Sequence, residues 1–166
     1  MTPAAHSVIR TPAPPPEPGP RTAARPAASR YASAQLDPRP DAAAQARHLT
    51  RDCLARWNLH ALTDDAQAIA AELTANAVAA VPPGTPGLAI TYAIHACHPE
   101  LRIYTWDIGP GQPAPAVPGD YAETGRGLAI IDALTASNWG WWPTPASGGK
   151  VVWAALRESP AAHTLP

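Results

Sequence analysis

The stretch AELTANAVAA, residues 71–80, carries Glu72 and Asn76 one helical turn apart, beside Ile69 and Leu73. Positions i and i+4 of a helix share a side, so the carboxylate and the carboxamide face the same way. An Asn oxygen is a neutral, hard ligand suited to Mg²⁺, which takes few protein groups and keeps phosphate oxygens in its shell. A Glu one turn away is placed to accept the proton of an attacking hydroxyl. Downstream, Asp107 stands immediately before IGPG, and Gly125, Arg126 and Gly127 stand immediately before Leu128, where an apolar helix begins. Backbone N–H groups at a helix start favour an anion, and glycine lets a phosphate come close. Together these residues suit a metal-bound nucleotide lying against the first of the two helices.

Two commoner phosphate motifs fail. SGGKV looks like the end of a P-loop, but Lys150 is followed by Val151 in place of Ser or Thr, and Thr144 stands where the earlier glycine is required. The GPG and GRG clusters do not sit in a strand–turn–helix βαβ unit, which excludes the dinucleotide fingerprint.

The elements that must position these residues can be read from periodicity. Residues 41–57 place Ala46, Leu49, Cys53, Leu54 and Trp57 on one side of a helix. A second helix is expected from Asp64, as N-cap with Gln67 three residues on, to Val81, stopped by PPGTPG. LAITYAIHA and LRIYTWDI alternate around CHPE and read as a β-hairpin. After a Gly- and Pro-rich loop, LAIIDALTAS reads as a short helix, and WGWW and KVVWAAL as two further strands. The order α-α-β-β-loop-α-β-β predicts an α+β two-layer sandwich, with helices on one face of a mainly antiparallel sheet.

At 166 residues the chain has room for one domain with a sizeable core. Ten of its 22 prolines lie within the first 40 residues. Residues 1–38 are therefore expected to be a disordered Pro/Ala-rich leader, dispensable for ligand binding, because such a segment buries too little to offset its ordering entropy. The folded domain is expected over 39–158, with a C-terminal tail over 159–166. A net charge of −1 gives no bulk field for nucleic acid or anionic lipid, and direct nucleic-acid binding is not expected. No apolar run reaches the length of a membrane span or a signal peptide. Two cysteines 44 positions apart form no disulfide framework, so a soluble, cytoplasmic protein is expected. The six tryptophans, four of them between 139 and 153, suit core and interface packing better than a ligand cage.

In this order, ELTANAV, DIGPG and TGRGLAII resemble the N-box and the two glycine boxes of the GHKL (Bergerat-fold) ATP-binding domains. The ending GRGL…W…GGK-VW is most similar to the single-domain anti-sigma-factor serine/threonine kinases of high-GC bacteria. The resemblance covers residues 41–157. It implies ATP and Mg²⁺ as ligands, with Asn76 coordinating the metal and Glu72 acting as general base. Asp107 would accept the adenine amino group. Gly109 and Gly111 would let the lid pass over the base, and Gly125, Arg126, Gly127 and Leu128 would line the phosphates. The implied activity is phosphorylation of an antagonist protein that controls partner switching, with a sigma factor or small antagonist as partner and a homodimer as the assembly. The alternative is a non-catalytic, nucleotide-dependent module that sequesters a sigma factor or other regulator. Two departures stand out. Ala79 and Ala80 occupy the places of a basic pair, and Val151 stands where Thr is frequent in the last strand, near the adenine.

Overall fold

The computed structural model describes residues 29–85, 90–113 and 126–158. The elements run β1 (Arg30–Leu36), α1 (Ala42–Trp57), a 3₁₀ turn (His60–Leu62), α2 (Thr63–Ala80), β2 (Ile90–Cys97), β3 (Glu100–Asp107), α3 (Arg126–Thr135), β4 (Trp139–Pro143) and β5 (Lys150–Arg157). The strands form one five-stranded sheet in the order β1-β2-β3-β5-β4, with every neighbouring pair antiparallel. This is the expected α+β sandwich with one strand added.

The period-2 alternation of β3 shows how the layers are set. Leu101, Ile103, Thr105 and Asp107 are buried, while Glu100, Arg102, Tyr104 and Trp106 alternate with them on the other face. Ile90, Tyr92 and Ile94 of β2 and Val152, Ala154 and Leu156 of β5 join the same buried face. Against it pack Ala46, Cys53 and Leu54 of α1, Ile69, Leu73 and Ala77 of α2, and Leu128 and Ile131 of α3. One polar contact crosses this core. Thr50 Oγ1 donates to Ala46 O (2.7 Å), leaving the Tyr92 hydroxyl to donate to Thr50 (2.5 Å). Burial pushes the Tyr92 phenol well above its ordinary range. The opposite face carries aromatic groups. Tyr104 meets Trp142 edge-on at 6.4 Å, and the Arg102 guanidinium lies 5.7 Å from the Trp153 ring centre.

Two local expectations need correction. Residues 30–36, expected within the leader, form β1 and pair with β2 from Arg30↔Ala96 to Leu36↔Ile90. Their alternation is hard to see because the inward positions after Arg30 are Ala32, Ala34 and Leu36, a face made mostly of methyl groups. The rest of the leader (residues 1–28) and the tail (159–166) lie outside the described residues. Likewise, α2 starts at Thr63 with no side-chain cap, so Asp64 is not its N-cap. The 3₁₀ turn leads directly into the helix and supplies its entry geometry. Asp64 and Asp65 instead fall in the first turn, where their charge complements the helix dipole.

Leu36 is 3% exposed and is the one large apolar residue that β1 buries. Leu36→Ala is expected to lower the unfolding free energy by about 2–4 kcal/mol, the cost of a buried leucine cavity. Chemical denaturation checks it; a change near zero would mean that the segment is not part of the fold.

Candidate active site

α2 buries Ala66, Ile69, Ala70, Leu73, Thr74 and Ala77. The alanines let it sit close to its neighbours, and it packs on α1, β3 and α3 together. Its polar pair therefore has nowhere to lie but the border between helices and sheet. Glu72 and Asn76 are both half-buried there, on the side facing the start of α3. A Cβ on Gly127 would lie 2.5 Å from Glu72 Oε2 and 3.5 Å from Asn76 Nδ2. Glycine at 127 is thus what lets the α3 start close over the carboxylate and the amide. Leu128, 6% exposed, follows it into the same space.

Asp107 ends β3 on the buried face and is 1% exposed. Its Oδ1 accepts from the Gly109 amide (2.9 Å) and from Lys150 Nζ (2.8 Å), and Lys150 also donates to Gly109 O (3.2 Å). The lysine side chain is 7% exposed, so this is a buried ion pair. Burial raises the Asp107 carboxyl above the ordinary carboxylate range, and the Lys150 ammonium and the Gly109 amide pull it partly back. Among the described residues, Asp107 Oδ2 and Asn76 Nδ2 are buried with no hydrogen-bond partner. Thr74 Oγ1 on α2 and Thr105 Oγ1 on β3 are in the same condition.

These side chains converge on one cleft of about 300 Å³. Asn76, Asp107, Lys150 and Val152 form its inner wall with Leu128, and Pro110, Gly111 and Gln112 border it from the chain leaving β3. Glu72 is next to it, through Gly127. The two glycines of the first box differ in their surroundings. A Cβ on Gly109 would run into the carbonyl of Ala80, so glycine there permits the close approach of the β3 exit to the end of α2. Gly111 takes a left-handed φ of +91° with open space around it. Gly125 lies outside the described residues, and Arg126 is the first residue of α3.

Lys150 and Val152 are absent from the sequence-derived site. The signal for both lay in KVVWAAL, whose alternation puts Lys150 on the same face as Val152 and Ala154. An amphipathic strand with a lysine in its apolar row needs a buried anion nearby. The same register corrects Val151. It pairs with Trp106 and lies on the outer face, away from the cleft, whereas Val152 pairs with Thr105 and lines it. SGGK, rejected above as a phosphate loop, is the turn that delivers Lys150. Gly148 and Gly149 adopt φ of +72° and +75°, and a Cβ on Gly149 would strike the Asp107 carbonyl. Thr144 braces this turn by donating to Gly148 O (2.5 Å) and accepting from Trp106 Nε1 (2.9 Å).

Gly109→Ala is expected to cost about 1–3 kcal/mol of stability, because the clash is with backbone that cannot rotate aside. Gly111→Ala meets no atom and should cost only the strain of a left-handed φ, about 1–2 kcal/mol. Urea denaturation of both variants tests the contrast when paired with nucleotide titration. Only Gly109→Ala should also disturb the Asp107 carboxylate.

Comparison with curated proteins gave no match. A family model described as a histidine kinase-like ATPase domain matches residues 36–154, from the last residue of β1 to the middle of β5. That span holds all three helices and the whole wall of the cleft. The chain belongs to the histidine kinase-like ATPase domain family.

Proposed function

We propose that the chain binds ATP with Mg²⁺ in this cleft and transfers the γ-phosphoryl group to a serine or threonine of a small antagonist protein. The observation that carries the reading is the pair of buried, unpartnered atoms on one cleft wall, Asp107 Oδ2 and Asn76 Nδ2. Leaving a buried polar atom without a partner costs about 1–3 kcal/mol, which a ligand bound there would recover. The cleft fits a nucleotide at both ends. Asp107 Oδ2 suits an exocyclic amine, and the start of α3 at Gly127, beside Glu72 and Asn76, suits phosphates.

In this reading Asn76 holds Mg²⁺ through its amide oxygen. Held there, the ion would supply positive charge against the negative charge that develops on the phosphates. Asp107 accepts from the adenine amine; guanine would present a carbonyl to the same carboxylate and be repelled. Glu72 takes the proton of the acceptor hydroxyl as its oxygen bonds to the γ-phosphorus and the bond to the β–γ bridging oxygen breaks. ADP leaves with the electron pair of that bond.

The partner-switching role, a sigma factor or small antagonist as partner, homodimer formation and a cytoplasmic location complete the proposal. They rest on the resemblance to anti-sigma-factor kinases. Among the described residues no helix is long and apolar enough to cross a membrane, which is compatible with that setting. A second reading is favoured by Ala79 and Ala80, which present methyl groups and no cation to the cleft. On that reading the domain holds its partner in a nucleotide-dependent way without phosphorylating it.

Glu72→Gln is expected to bind ATP–Mg²⁺ nearly as the wild type does while slowing phosphate transfer about 10²–10⁴-fold, the usual loss on removing a general base. Asn76→Ala should instead weaken Mg²⁺-dependent nucleotide binding itself. Titration calorimetry and transfer of labelled phosphate from ATP to candidate antagonists separate the two. Wild-type protein that binds ATP and an antagonist yet transfers no phosphate would leave the sequestering module as the function.

A further inference from the structure

Lys150 has no part in the mechanism above, yet it is the buried cation of the cleft. Its ammonium spans from Asp107 Oδ1 (2.8 Å) to Gly109 O (3.2 Å), joining the end of β3 to the chain that leaves it. Oδ1 is thereby committed twice, to Lys150 and to the Gly109 amide, while Oδ2 has no partner among the described residues. A carboxylate held by one oxygen cannot turn to present the other. We propose that Lys150 is the positioning residue for base selection: by tying down Oδ1 it leaves Asp107 Oδ2 as a fixed acceptor that admits an amine and rejects a carbonyl. This deepens the nucleotide reading and rests on it.

The charged surroundings of Asp107 are sparse. From β5 it meets Lys150; the residues that α2 brings to the cleft are Asn76, Ala77, Ala79 and Ala80; and α3 brings Leu128. Glu72 lies farther along α2, against Gly127. Lys150 is thus the one cation in the cleft wall among the described residues, and nothing there replaces it when it is removed. Without it, the Gly109 amide alone still holds Oδ1 against the burial that raises the carboxyl. Held by one donor, the carboxyl can turn about that bond and, once protonated, has an O–H to donate. It can then pair with the carbonyl of guanine as readily as with the amine of adenine.

The test compares ATP and GTP binding by titration calorimetry in the wild type, Lys150→Met, Asp107→Ala and the double variant Asp107→Ala/Lys150→Met. The wild type is expected to prefer ATP by on the order of a hundredfold, the scale of one buried polar mismatch. Lys150→Met should reduce that preference to below about tenfold, chiefly by admitting GTP. In the Asp107→Ala background the lysine substitution should change the ratio no further, a non-additivity that a merely structural lysine would not produce. Should Lys150→Met fail to fold, Lys150→Gln keeps a donor and Asp107→Asn/Lys150→Met leaves no unpaired charge. Carbon NMR of the Asp107 carboxyl in nucleotide-free protein supplies a separate readout, titrating at higher pH in Lys150→Met or Lys150→Gln than in the wild type. A preference unchanged within twofold in the lysine variants, with the preference lost in Asp107→Ala, overturns the role of Lys150 and leaves the base reading standing. An ATP preference that persists in Asp107→Ala overturns the base reading and the inference together.

Discussion

A carboxylate buried as deeply as Asp107 is tolerated only where donors surround it, and here they come from Lys150 and the Gly109 amide. That requirement ties together the two strands at the middle of the site. Asp107 pairs with Lys150 in the β3–β5 register, so the two side chains leave the sheet on the same face. Sliding β5 by one residue would carry Lys150 to the Trp-bearing outer face and set Val151 beside Asp107. The carboxylate would then be buried without its cation, at a cost of about 3–5 kcal/mol. The ion pair thus favours the one register in which Val152 also faces the cleft.

The close approaches at this end of the sheet follow from the same arrangement. The β3 exit must pass the end of α2, and the β4–β5 turn must pass the β3 exit. Both contacts are made by glycines, Gly109 against Ala80 and Gly149 against Asp107. A third glycine, Gly127, brings α3 down onto Glu72. Side chains at Gly109 or Gly149 would meet backbone and push an element outward, whereas one at Gly127 would displace the Glu72 carboxylate. The polar atoms that remain unpaired among the described residues lie on α2 and β3, two elements packed against each other.

This places the candidate site residues on packed elements of the fold. Asn76 and Glu72 belong to a helix packed on α1, α3 and β3, and Asp107 to a central strand. A ligand entering the cleft meets acceptors and donors already oriented, with little ordering entropy left to lose. The chain bordering the opening, from Pro110 to Gln112, is by contrast exposed and outside the sheet.

Much of this was open to a reader of the sequence. Residues 42–57 and 63–80 declare themselves as helices because burial on one side imposes a 3.6-residue period, and the β2–β3 hairpin declares itself by alternation, strict in β3 and broken in β2 at Ala93. Glu72, Asn76 and Asp107 were visible because polar groups in apolar rows are rare. β1 was not, because a strand whose inward face is largely alanine gains its place from backbone hydrogen bonds to β2, and backbone bonding leaves no mark on side-chain type. Lys150 was visible as a residue but not as a partner of Asp107, 43 positions away. Local periodicity specifies which face a side chain takes. Which residue stands opposite it depends on strand order and register, and those are set only when the sheet closes over the helices.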